Sequence, residues 1–445
     1  MHAFHYRDGE LHCEAVNLAQ VAEKEGTPLY VYSASAIVDH YRRLRSALSE
    51  IDHLICYAVK ANSNRAVLRL LREEGAGFDI VSGGELFRVL AAGGTAAQCT
   101  FAGVGKSSEE IAQALTAGVF CFNVESEAEL TEINRVAAGL GQRAPVALRV
   151  NPNVATGTHK YISTGGSEDK FGIALEHVAH VYETAAQLPH LRIRGLQMHI
   201  GSQITAAAPF AEAIEKVTPL VHELQARYAI EFLSIGGGMG IAYQSSFARG
   251  PSGGWRDETN SDAPSALTLD QYAAAILPPL RALQSRASGP GRSRPLRILL
   301  EPGRFLVGNA GVLLTRVRYL KQATAKKFVV VDAGMNDLIR PALYGSYHEI
   351  VPVREPESAR RESVDVVGPV CESGDFFAQE RQLPEIRAGD LAALMSAGAY
   401  GFVMASNYNS RPLPAEVLVR GDRWALVRER QTYADLVRGE READF

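Results

Sequence analysis

The stretch "LICYAVKANSNRAVLRLLREEGAGFDIVSGG", residues 54–84, sets the reading of the whole chain. An apolar run from Leu54 to Val59 delivers a lysine, Lys60, and breaks into Ala61-Asn62-Ser63-Asn64. A segment with helical periodicity follows and stops at glycine. A second apolar run opens at Phe78. Continuous apolar character, without alternation, marks strands covered on both faces. Strand, helix and strand in that order make one unit of a parallel α/β fold.

The unit recurs. Similar runs read "CTFAGVG" (99–105), "CFNVES" (121–126), "PVALRVN" (145–151), "IRGLQMHIG" (193–201), "FLSIGGG" (232–238) and "RILLEPG" (297–303). With the first two they make eight. The segments between them carry helix-start signals, such as Ser107-Ser108-Glu109-Glu110, a cap followed by acids in the first turn. Eight strand-then-helix units build a (β/α)8 barrel of the TIM type; an open doubly wound sheet is the rival. Polar and glycine-rich residues gather at the C-terminal ends of the runs, which favours the barrel. After residue 305 the texture becomes strand and turn, as in "GVLLTRVRYLKQ", "KKFVVVDAGM" and "AEVLVRGDRWALVRE". The expected organisation is a barrel over 36–305 and a mainly β domain built from 1–35 and 306–445. Two stretches, 244–266 and 285–295, read as surface loops.

The bulk composition is that of a folded globular chain: 445 residues, 46% hydrophobic, formal net charge −4. No basic excess points to nucleic acid. No apolar window reaches the ~18 residues of a membrane span. The first twenty residues carry charges throughout, unlike a secretory signal. The five cysteines, Cys13, Cys56, Cys99, Cys121 and Cys371, form no C-x-x-C pair. No metal site and no disulfide framework is expected, and a cytoplasmic location is the default.

Chemistry gathers where runs end. A lone Lys60 would be a solvated strand end. The seventh run closes on Gly236-Gly237-Gly238-Met239-Gly240, either a tight turn or a cradle whose N–H groups wrap a phosphate. The sixth closes on His199, Gly201 and Ser202, and the eighth on Glu301, Pro302, Gly303 and Arg304. Taken singly, these are a structural histidine and an ion pair. Together, an amine able to condense with an aldehyde, a phosphate cradle and a carboxylate for a ring nitrogen meet the needs of pyridoxal 5'-phosphate. In the β-rich part, "CESGD" supplies Cys371, Glu372 and Asp375, a polar turn or a proton-donating thiol with company. Tyr400 is a phosphate donor or a core tyrosine.

Eight motifs in this order, "YAVKAN", "KFGI", "HIGSQ", "GGGMGI", "EPGR", "RPALYGSYH", "CESGDFF" and "GAYGFVMASNYNSRP", resemble the fold-type III pyridoxal-phosphate decarboxylases, whose fold is that of alanine racemase. The likeness is greatest to the branch acting on diaminopimelate, and it runs over nearly the whole chain. The resemblance implies that Lys60 holds the cofactor and that His199 lies against its ring. It implies that Ser202, Gly236, Gly237, Gly238, Gly303, Arg304 and Tyr400 serve the cofactor, chiefly its phosphate, and that Glu301 faces the pyridine nitrogen. Arg304, Arg340, Tyr344, Glu372 and Tyr400 are the implied substrate contacts, and Cys371 the proton donor. It further implies a homodimer in which Cys371, Glu372 and Tyr400 complete a neighbour's site. Met239 stands where leucine or phenylalanine is more usual, and the loop from Gln244 to about Ala266 is longer than the family requires.

The substrate follows from charge. Meso-diaminopimelate has an amino-acid head at each end, so its distal head brings a carboxylate that Arg304, Arg340 and Tyr344 suit and an ammonium that Glu372 suits. The expected reaction is loss of CO2 to give L-lysine. Alternatives are decarboxylation of carboxynorspermidine, ornithine or arginine, a racemase, and a binding protein that has lost turnover. Ornithine, lysine and arginine lack a distal carboxylate and would leave an arginine without its partner.

Overall fold

The computed structural model describes residues 3–155, 170–244, 267–287, 296–356, 360–443 and 445. Residues 245–266 of the first expected loop and 288–295 of the second lie outside the described residues, while 285–287, expected as loop, complete the helix Leu269–Ala287. The chain divides into two compact units. One comprises Val38–Ile241 with Pro264–Leu306, the other Met1–Ile37, Ala242–Ala263 and Val307–Phe445.

The first unit is a closed parallel barrel. Its strands are His53–Ala58, Gly77–Ile80, Cys99–Phe101, Cys121–Val124, Ala144–Asn151, Leu191–Met198, Phe232–Ser234 and Arg297–Leu300, one overlapping each of the eight runs. Ile298 pairs with His53 and Phe122 with Val146, so these eight strands close on themselves and the open-sheet rival falls; a two-residue strand, Ile173–Ala174, adds to the end of Ala144–Asn151. Helices cover the outside, which is why the strands carry no solvent face. Cys56, Cys121, Ala147, Phe232 and Leu299 pack together as an apolar plug. All but Ala144–Asn151 stop short of their runs' C-terminal ends, because the chain turns there.

Those turns are stapled by helix caps, of which the sequence signals Ser107 and Ser126. Asn64, Ser82, Ser107 and Ser126 each accept a backbone N–H of the helix that follows. Ser107 and Glu110 form a reciprocal capping box. Each cap contributes about 1 kcal/mol and fixes where a strand hands over to its helix. Lys106 ties the third and fourth strand ends together. Its fully buried ammonium donates to Gly103 O at 2.8 Å, Asn123 O at 2.9 Å and Glu129 Oε1 at 2.5 Å. Loss of that lysine would leave a buried carboxylate unpaired, a cost of roughly 3–5 kcal/mol.

The second unit is mostly sheet. Phe4–Arg7, Glu10–Cys13 and Val16–Asn17 form an antiparallel meander. A larger mixed sheet runs in the order Phe376–Pro384, Arg361–Val367, Lys327–Val331, Gly311–Gln322, Leu29–Ser33, Ala415–Arg420, Arg423–Arg428. Leu391–Leu394 joins on Gly311–Gln322 and carries Ile350–Pro352. The long strand Gly311–Gln322 thus serves three partners, and two apolar cores form on the sheet. Phe376–Pro384 was not foreseen. Its exposed Gln379, Glu380 and Gln382 and its terminal proline are edge-strand features that conceal a strand pattern. Among the described residues no helix is long and apolar enough to cross a membrane, and no His/Cys/Asp/Glu cluster could hold a metal.

Candidate active site

Lys60 does not end the first barrel strand. It lies in a single 3-10 turn, Val59–Ala61, that follows the strand and is anchored by Tyr57, whose hydroxyl donates to Asn62 O at 2.9 Å. Its Nζ donates to Asp79 Oδ2 at 3.1 Å. The carboxylate is buried, while 42% of the lysine side chain is accessible in the single chain. The amine is therefore held on one side and reachable from the other. Gly303 makes the turn possible, since a Cβ there would press 3.0 Å from Ala61 Cβ and 3.2 Å from Ala58 Cβ.

Glu301, at the end of the eighth strand, is fully enclosed. Its oxygens accept from Ser234 Oγ at 2.7 Å, Gln197 Nε2 at 2.9 Å and Asn123 Nδ2 at 3.4 Å, all neutral donors. Burial and the nearby Asp79 charge push its carboxyl from the ordinary 4.5 up to about 7, against the pull of these donors and of Lys60. Such a carboxyl suits a site that receives a cation.

His199 is half-buried, and desolvation first, then the charges of Arg149 and Lys60, hold its imidazole well below the usual histidine range. It is a neutral ring. Its Nδ1 accepts the Gly237 N–H at 3.2 Å, which joins the sixth strand end to the glycine loop. That loop tolerates only glycine. A Cβ would stand 2.4 Å from Met198 O at Gly236, 2.2 Å from Glu301 O at Gly237 and 2.3 Å from Gly201 O at Gly238. Arg304 is buried and its Nη2 donates to Ser202 Oγ at 3.0 Å. The barrel unit thus gathers Lys60, His199, Ser202, the three glycines, Glu301, Gly303 and Arg304 at the C-terminal ends of its strands.

The sheet unit holds the other candidates. Arg340, buried, and Tyr344, half-buried, bound one short helix, Arg340–Tyr344. Cys371 and Glu372 are exposed. The Cys371 N–H donates to Asn409 Oδ1 at 2.7 Å, and Glu372 Oε2 accepts from Tyr408 at 3.5 Å. Asp375 is the anchor of that turn, accepting from Met335 N and Val370 N, each at 2.6 Å. Tyr400 sits at φ +56°, a left-handed backbone rare for a tyrosine and costly enough to need local support.

Several residues were missed from sequence. Asp79, Asn123, Gln197 and Ser234 lie inside apolar runs, and Arg149 pairs with buried Glu125 at 3.0 Å. Glu85, whose carboxylate accepts Val81 N at 2.7 Å, is pushed up to about 7 by burial. The available signal was a charge or amide interrupting a β-branched run, which a buried strand admits only with partners.

The residues fit pyridoxal 5'-phosphate on their own chemistry: a tethered but reachable amine, a neutral flat ring, a glycine cradle that any Cβ would fill, and an enclosed carboxyl with neutral donors. The chain belongs to the pyridoxal-dependent decarboxylase family, whose pyridoxal-binding domain matches residues 34–308. It is similar to diaminopimelate decarboxylase of Pseudomonas fluorescens, with 49% identity over 99% of both chains. In structure it is similar to diaminopimelate decarboxylase of Helicobacter pylori complexed with L-lysine, at TM-score 0.85 and 38% identity over 95% of this chain and 98% of that one. The M. jannaschii enzyme in complex with L-lysine gives TM-score 0.88 and 36% identity over 99% and 98%.

Proposed function

We propose that this chain removes CO2 from meso-2,6-diaminopimelate to give L-lysine, the last step of lysine biosynthesis, in the cytoplasm. The observation that carries the reading is the joint placement of Lys60–Asp79 and enclosed Glu301 at one barrel mouth, close enough to feel one another's charge. The similarity to diaminopimelate decarboxylases fixes the substrate over ornithine, arginine and carboxynorspermidine. A panel of these diamino acids checks it by CO2 release, and preference for ornithine would overturn it.

Pyridoxal 5'-phosphate, when bound, supplies an aldehyde for the substrate amine and a ring that accepts the electron pair left by CO2. Lys60 would hold it covalently, and Asp79 keeps that ε-amine oriented. The N–H groups of 236–238, with Ser202, Arg304 and Tyr400, would bind its phosphate. His199, being neutral, offers a ring face without adding positive charge. Glu301 as carboxylate would hold a proton on the pyridine nitrogen. Arg340 and Tyr344 take the distal carboxylate of the substrate and Glu372 the distal ammonium. The thiol of Cys371 delivers a proton to substrate Cα. Cys371→Ala is expected to lower kcat by about 10²-fold, the usual worth of a positioned acid. Turnover equal to the parent would remove that role.

The β-rich residues Cys371, Glu372 and Tyr400 serve the site of a second copy in a homodimer. What supports this is the exposure of Cys371 and Glu372 in the single chain. Lys60→Ala and Cys371→Ala chains, each with at most about a hundredth of parental activity alone, are expected to recover about a quarter of it when mixed after dissociation, since half the dimers regain one intact site. No recovery in demonstrated mixed dimers would place both residues in one chain's site.

A further inference from the structure

Arg340 is not a loose surface cation. Its Nε donates to His348 Nε2 at 3.3 Å and its Nη2 to Ser346 Oγ at 3.3 Å. The ring of Tyr243 lies 5.0 Å from the guanidinium carbon, and the same ring meets His348 edge-on, centroids 5.4 Å apart at 77°. Two in-plane contacts and one facial contact fix both the position and the plane of the guanidinium.

His348 is itself held in one form. It is wholly buried, its Nδ1 lies 2.8 Å from the Met395 carbonyl oxygen, and its own carbonyl accepts from Arg381 Nη1 at 2.9 Å. A carbonyl oxygen only accepts, so Nδ1 carries the hydrogen. The lone pair is then on Nε2, which faces the Arg340 Nε–H. Histidine beside arginine is a poor choice for a core that needs only packing. It is a good choice where a buried guanidinium must be aimed.

We propose that His348 is a positioning residue for substrate selection: its Nε2 lone pair orients Arg340 toward the distal carboxylate. This rests on the assignment of diaminopimelate as substrate and Arg340 as its partner. The step decided here is binding, not bond breaking, so its signature is confined to ligands that keep that carboxylate. L-lysine keeps it, and cadaverine, the same chain without it, does not.

The experiment uses the cofactor-loaded enzyme and two variants that separate the two ring nitrogens. His348→Asn can still donate to Met395 O but cannot reach Arg340. His348→Gln places an amide oxygen near the Nε2 position. For His348→Asn, KM for meso-diaminopimelate and the inhibition constant for L-lysine are expected to rise about 10-fold or more, the worth of one hydrogen bond to a charged group. Inhibition by cadaverine and kcat should hold within about 3-fold. His348→Gln should recover most of the loss. On an Arg340→Ala background His348→Asn should add nothing further. If His348→Asn gives no folded protein, Ser346→Ala removes the other in-plane partner and should raise the L-lysine constant, and not the cadaverine constant, about 3-fold. Equal weakening of both inhibitors, an additive double variant, or an unmoved L-lysine constant overturns the proposal. If the parent itself does not prefer diaminopimelate, the functional assignment fails instead. If it does prefer it, Arg340→Ala weakens L-lysine and His348→Asn does not, only the role of His348 fails.

Discussion

Lys60→Ala should abolish turnover, lowering kcat by at least about 10⁴-fold, because the covalent anchor and the group that releases product are lost together. The amine cannot be replaced from nearby. Among the described contacts of Asp79, the only ammonium is Lys60, at 3.1 Å, and the other partner is the Thr100 hydroxyl at 3.5 Å. The parent should be yellow, and borohydride reduction should leave the cofactor permanently attached to a peptide containing Lys60. The alanine variant should be unlabelled at that position. A variant that keeps more than about a hundredth of parental kcat would mean that the chemistry does not run through this residue. Asp79 is expected to matter through Lys60. Without it the half-accessible ε-amine loses the buried carboxylate that it donates to.

Glu301→Gln should fold, bind cofactor and lose roughly 10²- to 10³-fold in kcat, since a neutral amide no longer holds a proton on the ring nitrogen. The carboxyl also sets a pH dependence whose sign is fixed by its neighbours. In the cofactor-free protein its value is raised from 4.5 to about 7. The folded state therefore keeps a proton that the unfolded chain gives up. The stabilisation from that proton is complete below the ordinary value and lost as pH rises through about 7. Thermal melts of cofactor-free parent should fall across that window more steeply than those of Glu301→Gln. Glu85 and Asp337, also raised to about 7, shift both proteins alike, so the difference belongs to Glu301. Loading the cofactor should remove the difference, because a cation beside the carboxylate makes its ionisation favourable. Parallel curves for parent and variant would show that Glu301 carries no buried proton.

How far the sequence reached follows from which interactions are local. The barrel strands were legible because each is buried on both faces and each ends in its own polar turn. Lys60, Glu301 and the three glycines stood out because their types are unusual where a strand stops. Asp79 and Gln197 were invisible as site residues. Pairing of the first two strands, with Ala58 opposite Asp79, brings Asp79 to Lys60, and Gln197 reaches Glu301 across the one strand between theirs. The clamp on Arg340 joins Tyr243 to His348, elements far apart in the chain with no spacing that announces them. Phe376–Pro384 was lost for the opposite reason, since exposed Gln379, Glu380 and Gln382 cut its apolar run off after Ala378.

Leu29–Ser33 lies between Gly311–Leu314 on one side and Ala415–Val419 on the other. During synthesis this early segment leaves the ribosome long before either neighbour exists. The barrel can close on the nascent chain, but the sheet unit must wait for the last stretch to be translated, and its assembly then depends on pairings very distant in sequence. A message cut short before codon 415 would leave that tyrosine-rich segment with one flank unzipped and sticky, a natural target for quality control.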